Sequence, residues 1–250
     1  MSAAYRAGRW FLREPLASAR ARVFCLPYSG CGASMYRKWP AEYAGVNFCP
    51  VQLPGRENRL REPHFATYQQ LAGMLAGQLA SYLDRPYALF GHCSSALAAY
   101  ETAVRLVADG HPAPSRLFVS SEVAPQDGPF GSFLDMDDAA LAAELRSLFA
   151  AMGGSLSSGF IDMTLGVLRK DLDVNRRYHV ADPAVLPCPI IAIGWSEDRE
   201  VTPQLMDGWS ACGTTEQVIL GGDHYQFTSA PEDLLKQLVR GCGVTAPAGR

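Results

Sequence analysis

Three residues far apart in the chain are of types that can share a proton during acyl chemistry: Cys93, Asp198 and His224. A thiol nucleophile needs a base to take its proton. The base in turn needs an acid that holds its tautomer and stabilises the imidazolium. Nucleophile, acid, histidine is one chain order in which such triads occur. Cys93 sits in "LFGHCSSALAAYE" (89–101), where an apolar run, a Gly-His pair and a run of small residues follow one another. The pattern is that of a strand, a sharp turn and a helix, with the side chain at the turn exposed at the top of a sheet. It matches G-x-S-x-G with cysteine at the centre and Ser95 in place of the second glycine. Gly91 is expected to permit the turn, and Ser95 to be small enough for strand and helix to pack. A helix N-terminus favours an anion, so the position is expected to lower the thiol pKa.

His224 lies in "LGGDHYQF" and Asp198 in "GWSEDREVTP", each just after an apolar run. Glu197, Asp223 and Glu122 compete with Asp198 for the acid's role, Glu122 because it follows the apolar run 116–121. An acyl reaction also needs donors for the developing oxyanion. The N–H of Ser94, next after the nucleophile, is one. The small-residue loop "LPYSGCGAS" (26–34) supplies the other, assigned to Ser29. His92 reads as structural, and His64, His111 and His179 as surface residues.

The elements that must position these groups alternate. Apolar runs at 22–27, 46–54, 87–92, 116–121, 189–195 and 216–222 predict strands. Pro50 confines the second to an edge or an irregular start. A helical face comprises Tyr68, Leu71, Ala72, Leu75, Leu79, Tyr82 and Leu83. Further helices are expected over 94–108, ending at Asp109-Gly110, and near 203–212 and 231–241. The fold class is therefore α/β: a mostly parallel sheet with helices on both faces. Residues 130–180 break the rhythm with two helical patterns and no strand, which predicts a lid inserted over the carboxyl edge of a single domain spanning 1–250. Apolar lid residues Phe133, Met136, Leu148, Phe149, Met152, Phe160 and Met163 suit an apolar pocket or the lid's own packing.

Bulk properties exclude several classes. The chain has 250 residues, 48% of them hydrophobic, and a net charge of −3, so a large core is available and a basic nucleic-acid surface is not. No apolar run approaches a membrane span. "MSAAYRAGRWFLREP" has no long apolar stretch, so no signal peptide is expected. Seven cysteines without C-x-x-C spacing predict reduced thiols, a cytoplasmic location and no metal. The tail "GVTAPAGR" reads as loose.

Four stretches resemble the type II thioesterases of polyketide and nonribosomal peptide assembly lines. "VFCLPYSGCGAS" resembles their oxyanion loop, "VQLPGRENRLREP" (51–63) their Gln-Leu-Pro-Gly-Arg-Glu signature, "RPYALFGHCSSALAAYE" their nucleophile elbow and "GGDHYQF" their His-containing ending. The resemblance covers roughly residues 10–240 in the family's order. It implies an α/β-hydrolase fold with a helical lid, and acyl substrates presented as thioesters on the phosphopantetheine arm of acyl or peptidyl carrier proteins, with no other cofactor. It carries the catalytic roles to Cys93, Asp198 and His224, and the oxyanion donors to Ser29 and Ser94. A monomer is expected. The departures cluster at the site: Cys93 for serine, Ser94-Ser95 for Met-Gly, Ser29 and Cys31 in the loop, and "SSEVAP" (120–125) for a stretch commonly Ser-Gly-Arg-Arg-Ala-Pro. Thioester hydrolysis is the first expectation. The alternative is transfer of an acyl or aminoacyl group from Cys93 to another carrier thiol, an amine or an alcohol, since an acyl group on sulfur stays activated. An inactive carrier-binding module is the third, disfavoured by the retained His224 and Asp198.

Overall fold

A computed structural model describes residues 10–154 and 157–243. The opening residues 1–9 and the tail 244–250, on which the leader and loose-tail expectations fall, lie outside the described residues. Among the described residues the sheet has seven strands: β1 (Ala21–Cys25), β2 (Glu42–Tyr43), β3 (Val46–Pro50), β4 (Tyr87–His92), β5 (Arg116–Ser120), β6 (Ile190–Trp195) and β7 (Thr215–Leu220). Their order is β2-β3-β1-β4-β5-β6-β7. Among these seven strands, β2 alone runs antiparallel to its neighbour.

Residues of β1, β3, β4, β5 and β6 are buried on both faces and alternate between them, which is why these runs read as continuously apolar. The edge strands β2 and β7 are largely open to solvent. In β1, Val23 and Cys25 enter one core with Phe90, Phe118 and Ile193, while Phe24 enters the other with Leu89, Leu117 and Val119. The second core is closed by α1 (Tyr68–Leu79) and α2 (Ser95–Ala108), and the first by α5 (Glu232–Gly241) through Leu234, Leu235 and Leu238. Thr67 caps α1 by accepting the Gln70 amide at 3.0 Å, and Asp109-Gly110 ends α2 with Gly110 at φ +79.

Pro50 does not mark an edge. β3 lies between β1 and the two-residue β2, and Pro50 ends the strand, where its carbonyl still accepts the Leu12 amide at 3.0 Å. The expected helix near 203–212 is a 3₁₀ helix, Pro203–Cys212. Between β5 and β6, residues 130–180 form a short 3₁₀ turn, then α3 (Asp138–Ala151) and α4 (Ser158–Arg176), with no strand among the described residues. Phe133, Leu145, Leu148, Leu168 and Leu172 from this segment pack into the core beside Tyr28 and Trp39.

Candidate active site

Cys93 sits in the tight turn between β4 and α2 with φ +55, a left-handed conformation that a non-glycine residue holds only when its surroundings enforce it. Its amide donates to the Ser120 carbonyl of β5 at 2.8 Å, and its carbonyl accepts the Ala96 amide at 2.7 Å. Gly91 is needed for a different reason from the expected turn. A Cβ there would stand 2.3 Å from the Ser95 carbonyl oxygen and 2.5 Å from the Ala96 nitrogen, so glycine permits the close approach of helix to strand. Ser95 both fits and helps: its hydroxyl accepts the His92 amide and donates to the His92 carbonyl, each at 2.9 Å.

His224, on the loop after β7, donates Nδ1–H to Asp198 Oδ2 at 2.8 Å. Asp198 follows β6 and is held by two backbone amides on its other oxygen, Glu200 at 2.9 Å and Val201 at 3.1 Å. Burial opposes its charge, but the His224 hydrogen bond and charge, the Ser121 hydroxyl and the Val201 amide outweigh this and hold the carboxylate below its usual range. The other expected acids are placed elsewhere. The Glu122 carboxyl accepts the Val123 amide at 3.0 Å, and Asp223 accepts the Tyr225 amide at 2.9 Å.

With Nδ1 committed to Asp198, Nε2 of His224 is the acceptor and faces the Tyr28 hydroxyl at 3.4 Å. The same hydroxyl acts on the Cys93 thiol and lowers its pKa. Tyr28 is buried, and desolvation first, then the neighbouring Cys93, pushes its pKa well up, so it acts as a neutral hydrogen-bonding group. Sequence reasoning assigned it no role, although it stands inside the oxyanion-loop motif. His92 is structural, as read: it is fully buried, bonded to Ser120 through Nδ1 at 2.8 Å, stacked on Phe227 at 3.9 Å and held neutral by burial.

The expected acidity of Cys93 is not met. Desolvation, then the charges of Glu122 and Glu200, raise its pKa well above the ordinary thiol value, and the Ser94 amide and Tyr28 hydroxyl offset this only in part. A helix N-terminus stabilises an anion by tenths of a kcal/mol to about 2 kcal/mol, and burial beside carboxyl groups outweighs that here. The resting thiol is therefore protonated.

Ser29 and Ser94 are brought together, their hydroxyls 2.5 Å apart. The neighbouring Gly30 amide is taken by Asp171 Oδ2 at 2.8 Å, which leaves Ser29 as the loop's candidate donor. Asp171 belongs to α4, and it reveals a clamp that the sequence did not announce. Arg56 grips both its oxygens, at 2.8 and 2.9 Å, and donates to the Cys31 carbonyl at 3.0 Å. His64 bonds Asp171 Oδ1 at 2.8 Å, so His64 is a buried clamp residue and not a surface one. Burial would raise Asp171, but Arg56 and His64 overcome this and bring it down to about 2. Gln52 adds a bond to the Ala33 amide at 2.6 Å, and Glu57 bonds Ser34. The signature at 52–57 thus lashes the oxyanion loop to α4 rather than touching the reacting atoms. Removing one member of such a buried pair costs about 3–5 kcal/mol, because its partner is left charged and unpaired.

Between this loop and the α3–α4 segment lies a cavity of about 200 Å³. Phe149, Met152, Phe160 and Met163 line it, whereas Phe133 and Leu148 are core. No helix among the described residues is long and apolar enough to cross a membrane, and all seven cysteines are free. No group of three or more metal-ligating side chains occurs among the described residues.

Glu122 is 2% exposed, and burial raises its pKa from 4.5 to about 8. The folded state therefore keeps a proton that the unfolded chain loses above pH 4.5, and stability falls as pH rises from that value to about 8. At roughly 1.4 kcal/mol per pH unit, the neutral isostere Glu122→Gln is expected to exceed the wild type by a few kcal/mol at pH 9. The difference should vanish near pH 4. Urea midpoints at the two pH values test this, and a pH-independent difference would refute it.

A mostly parallel sheet with a cysteine-bearing elbow after its central strand, and an aspartate and a histidine after the last two strands, defines the α/β-hydrolase fold. The chain belongs to the Thioesterase domain family, which it matches over residues 21–240. It is 31% identical over 237 residues to the gramicidin S biosynthesis protein GrsT of Aneurinibacillus migulanus, covering 91% of each chain. Among solved structures it is similar to RedJ, a thioesterase from the prodiginine pathway of Streptomyces coelicolor, at 32% identity and a TM-score of 0.74, covering 96% of this chain and all of that one. It is also similar to BorB, the type II thioesterase of the borrelidin cluster, at 28% identity and a TM-score of 0.80, covering 93% and 97%.

Proposed function

We propose that the protein removes acyl groups held as thioesters on the phosphopantetheine arm of carrier proteins in polyketide or nonribosomal peptide biosynthesis, using Cys93, His224 and Asp198. The observation that carries this is the His224–Asp198 pair at 2.8 Å beside an elbow cysteine, in a chain of the Thioesterase family. His224 takes the Cys93 proton through Nε2, directly or through the Tyr28 hydroxyl. The sulfur attacks the thioester carbon, and the oxyanion faces the amides of Ser29 and Ser94. The bond to the pantetheine sulfur then breaks, and His224 returns the proton to that leaving group. Water activated by the same histidine releases the acid. Because the resting thiol is neutral, His224 must act in the step itself rather than hold a standing thiolate. The α3–α4 segment serves as the lid of a single domain, and its cavity receives the pantetheine or the acyl chain.

A second reading is favoured by Cys93 itself: the acyl-enzyme is a thioester, nearly isoenergetic with the substrate, and can pass its acyl group to a second carrier thiol, an amine or an alcohol. The test is the partition of a labelled acyl group between free acid and an acceptor carrier in excess, followed by intact-protein mass spectrometry and chromatography. Dominant free acid is expected. Dominant labelling of the acceptor would replace hydrolysis by transfer.

A further inference from the structure

Cys93, Asp198 and His224 follow three different strands, and one buried residue is bonded into the approach to each of them. Ser120 ends β5, which lies between β4, leading into Cys93, and β6, leading toward Asp198. It is fully buried. Its carbonyl accepts the Cys93 amide at 2.8 Å. Its hydroxyl accepts the Trp195 indole N–H at 3.0 Å, and the Trp195 carbonyl in turn accepts the Asp198 amide at 3.2 Å. The same hydroxyl stands 2.8 Å from Nδ1 of His92. The His92 ring lies 4.7 Å from the His224 ring and is stacked at 3.9 Å on Phe227, three residues after His224. The Trp39 indole donates to the Phe227 carbonyl at 3.1 Å, which fixes that segment from the other side. His92 and Phe227 thus form one wall of the slot that holds the base.

Donor counts give the direction of the proton in this chain. An indole N–H only donates, so the Ser120 oxygen is an acceptor toward Trp195. Ser120 then has one proton to place. Pointing it at Nδ1 satisfies the hydroxyl and puts the ring proton of His92 on Nε2. The reverse, Nδ1–H donating to Ser120, leaves two groups unpaired instead of one: the hydroxyl proton and the Nε2 lone pair, since Nε2 has no hydrogen-bond partner among the described residues. The favoured tautomer is therefore Nε2–H. Burial already holds this ring neutral. An Nδ1 engaged by Ser120 cannot take a second proton without breaking that bond. The restriction matters beside His224, which becomes an imidazolium when it takes the Cys93 proton, because a second cation at this spacing would oppose the transfer.

We propose that Ser120 is a positioning residue for the three groups: its hydroxyl fixes the tautomer and plane of His92, and His92 holds His224 in register with the Cys93 sulfur. This rests on the thioester reading given above and holds whether water or a second thiol accepts the acyl group.

The experiment reads ring protonation and acylation separately. In long-range proton–nitrogen spectra of protein isotope-labelled at histidine, wild-type His92 should carry its proton on Nε2 at neutral pH. Ser120→Ala should release it to a mixture of both tautomers, while His224 keeps its Nδ1 proton because Asp198 is untouched. Acylation of Cys93 by butanoyl-pantetheine, followed by intact mass, should slow on the order of 10–100-fold in Ser120→Ala, the cost of a misplaced base, with the half-saturating thioester concentration unchanged. A retained His224 tautomer separates misplacement from a general loss of structure. His92→Asn still offers the Ser120 hydroxyl an oxygen but removes the ring beside His224. It should slow acylation with the same unchanged half-saturation, and it decides if Ser120→Ala does not fold. A wild-type His92 protonated at Nδ1 or at both nitrogens would overturn the proposal and leave the thioester reading standing. So would wild-type acylation rates in folded Ser120→Ala or His92→Asn, or a loss confined to half-saturation. Failure of the wild type to be acylated would overturn the thioester reading and this proposal together.

Discussion

Cys93→Ala is expected to form no acyl-enzyme with any carrier-bound thioester, and His224→Ala to lower the acylation rate by about 10²–10⁴-fold. The first loss is complete because no other thiol is available: Cys25, Cys31, Cys49, Cys188, Cys212 and Cys242 are all buried, and burial raises the pKa of each. The size of the second follows from the resting state of Cys93. A thiolate already present would survive loss of the base, but desolvation raises the pKa of this thiol and keeps it protonated, so its proton must leave as the bond forms. Asp198→Ala should cost less than His224→Ala, because the acid acts only through the imidazole. Glu122→Gln should cost less again. Single-turnover acylation read by intact mass checks the ranking. A larger loss in Glu122→Gln than in Asp198→Ala would move the acid's role to the end of β5. Alanine at Cys93 also relieves nothing in the turn's left-handed backbone, so its fold should be unchanged by circular dichroism.

What could be read in the sequence was whatever a short stretch determines by itself. "YALFGHCSSALAAYE" carries its own strand, turn and helix, because the apolar run, Gly91 and the small residues after Cys93 fix the switch locally. His224 and Asp198 were legible because each directly follows a strand, at the edge where an elbow side chain emerges. What depended on distant partners was not. Arg56 and Asp171 are 115 positions apart, and nothing near either announces a two-pronged ion pair. His64, in a polar loop, therefore reads as a surface residue, whereas in the fold it stands against Asp171. Pro50 was misplaced because β2 is two residues long, too short to show any periodicity, yet it takes the edge that Pro50 had seemed to require. The sign of the Cys93 shift failed for a similar reason. The helix N-terminus is a local feature, whereas the opposing burial and the Glu122 carboxyl come from β5 and the packing above it. Tyr28 shows the same limit: its position in the loop was visible, but its contact with His224 spans 196 positions.

Cys93→Ser should abolish transfer of an acyl group to a second carrier, by ~10²-fold or more, equivalent to ~2.7 kcal/mol. The serine hydroxyl fits the same elbow, under the same influence of the Ser94 amide and Tyr28 hydroxyl that lowers the thiol pKa. His224 can take its proton as it takes that of the thiol. The difference lies in the product. An acyl group on serine is an oxygen ester, lower in free energy than the thioester it came from, so return to a carrier thiol is uphill and only water remains as acceptor. On Cys93 the acyl-enzyme keeps the thioester's free energy, and both exits stay open. The two wild-type readings then separate in the variant. If the native enzyme hydrolyses, Cys93→Ser should retain release of free acid as a conventional serine thioesterase. If the native enzyme transfers because its site excludes water, the serine ester has no exit and should accumulate as a stable adduct of one acyl mass per chain. The readout is the ratio of free acid, acyl-serine adduct and labelled acceptor carrier over time. Wild-type rates of carrier-to-carrier transfer in Cys93→Ser would show that the sulfur ester has no part in keeping the acyl group activated.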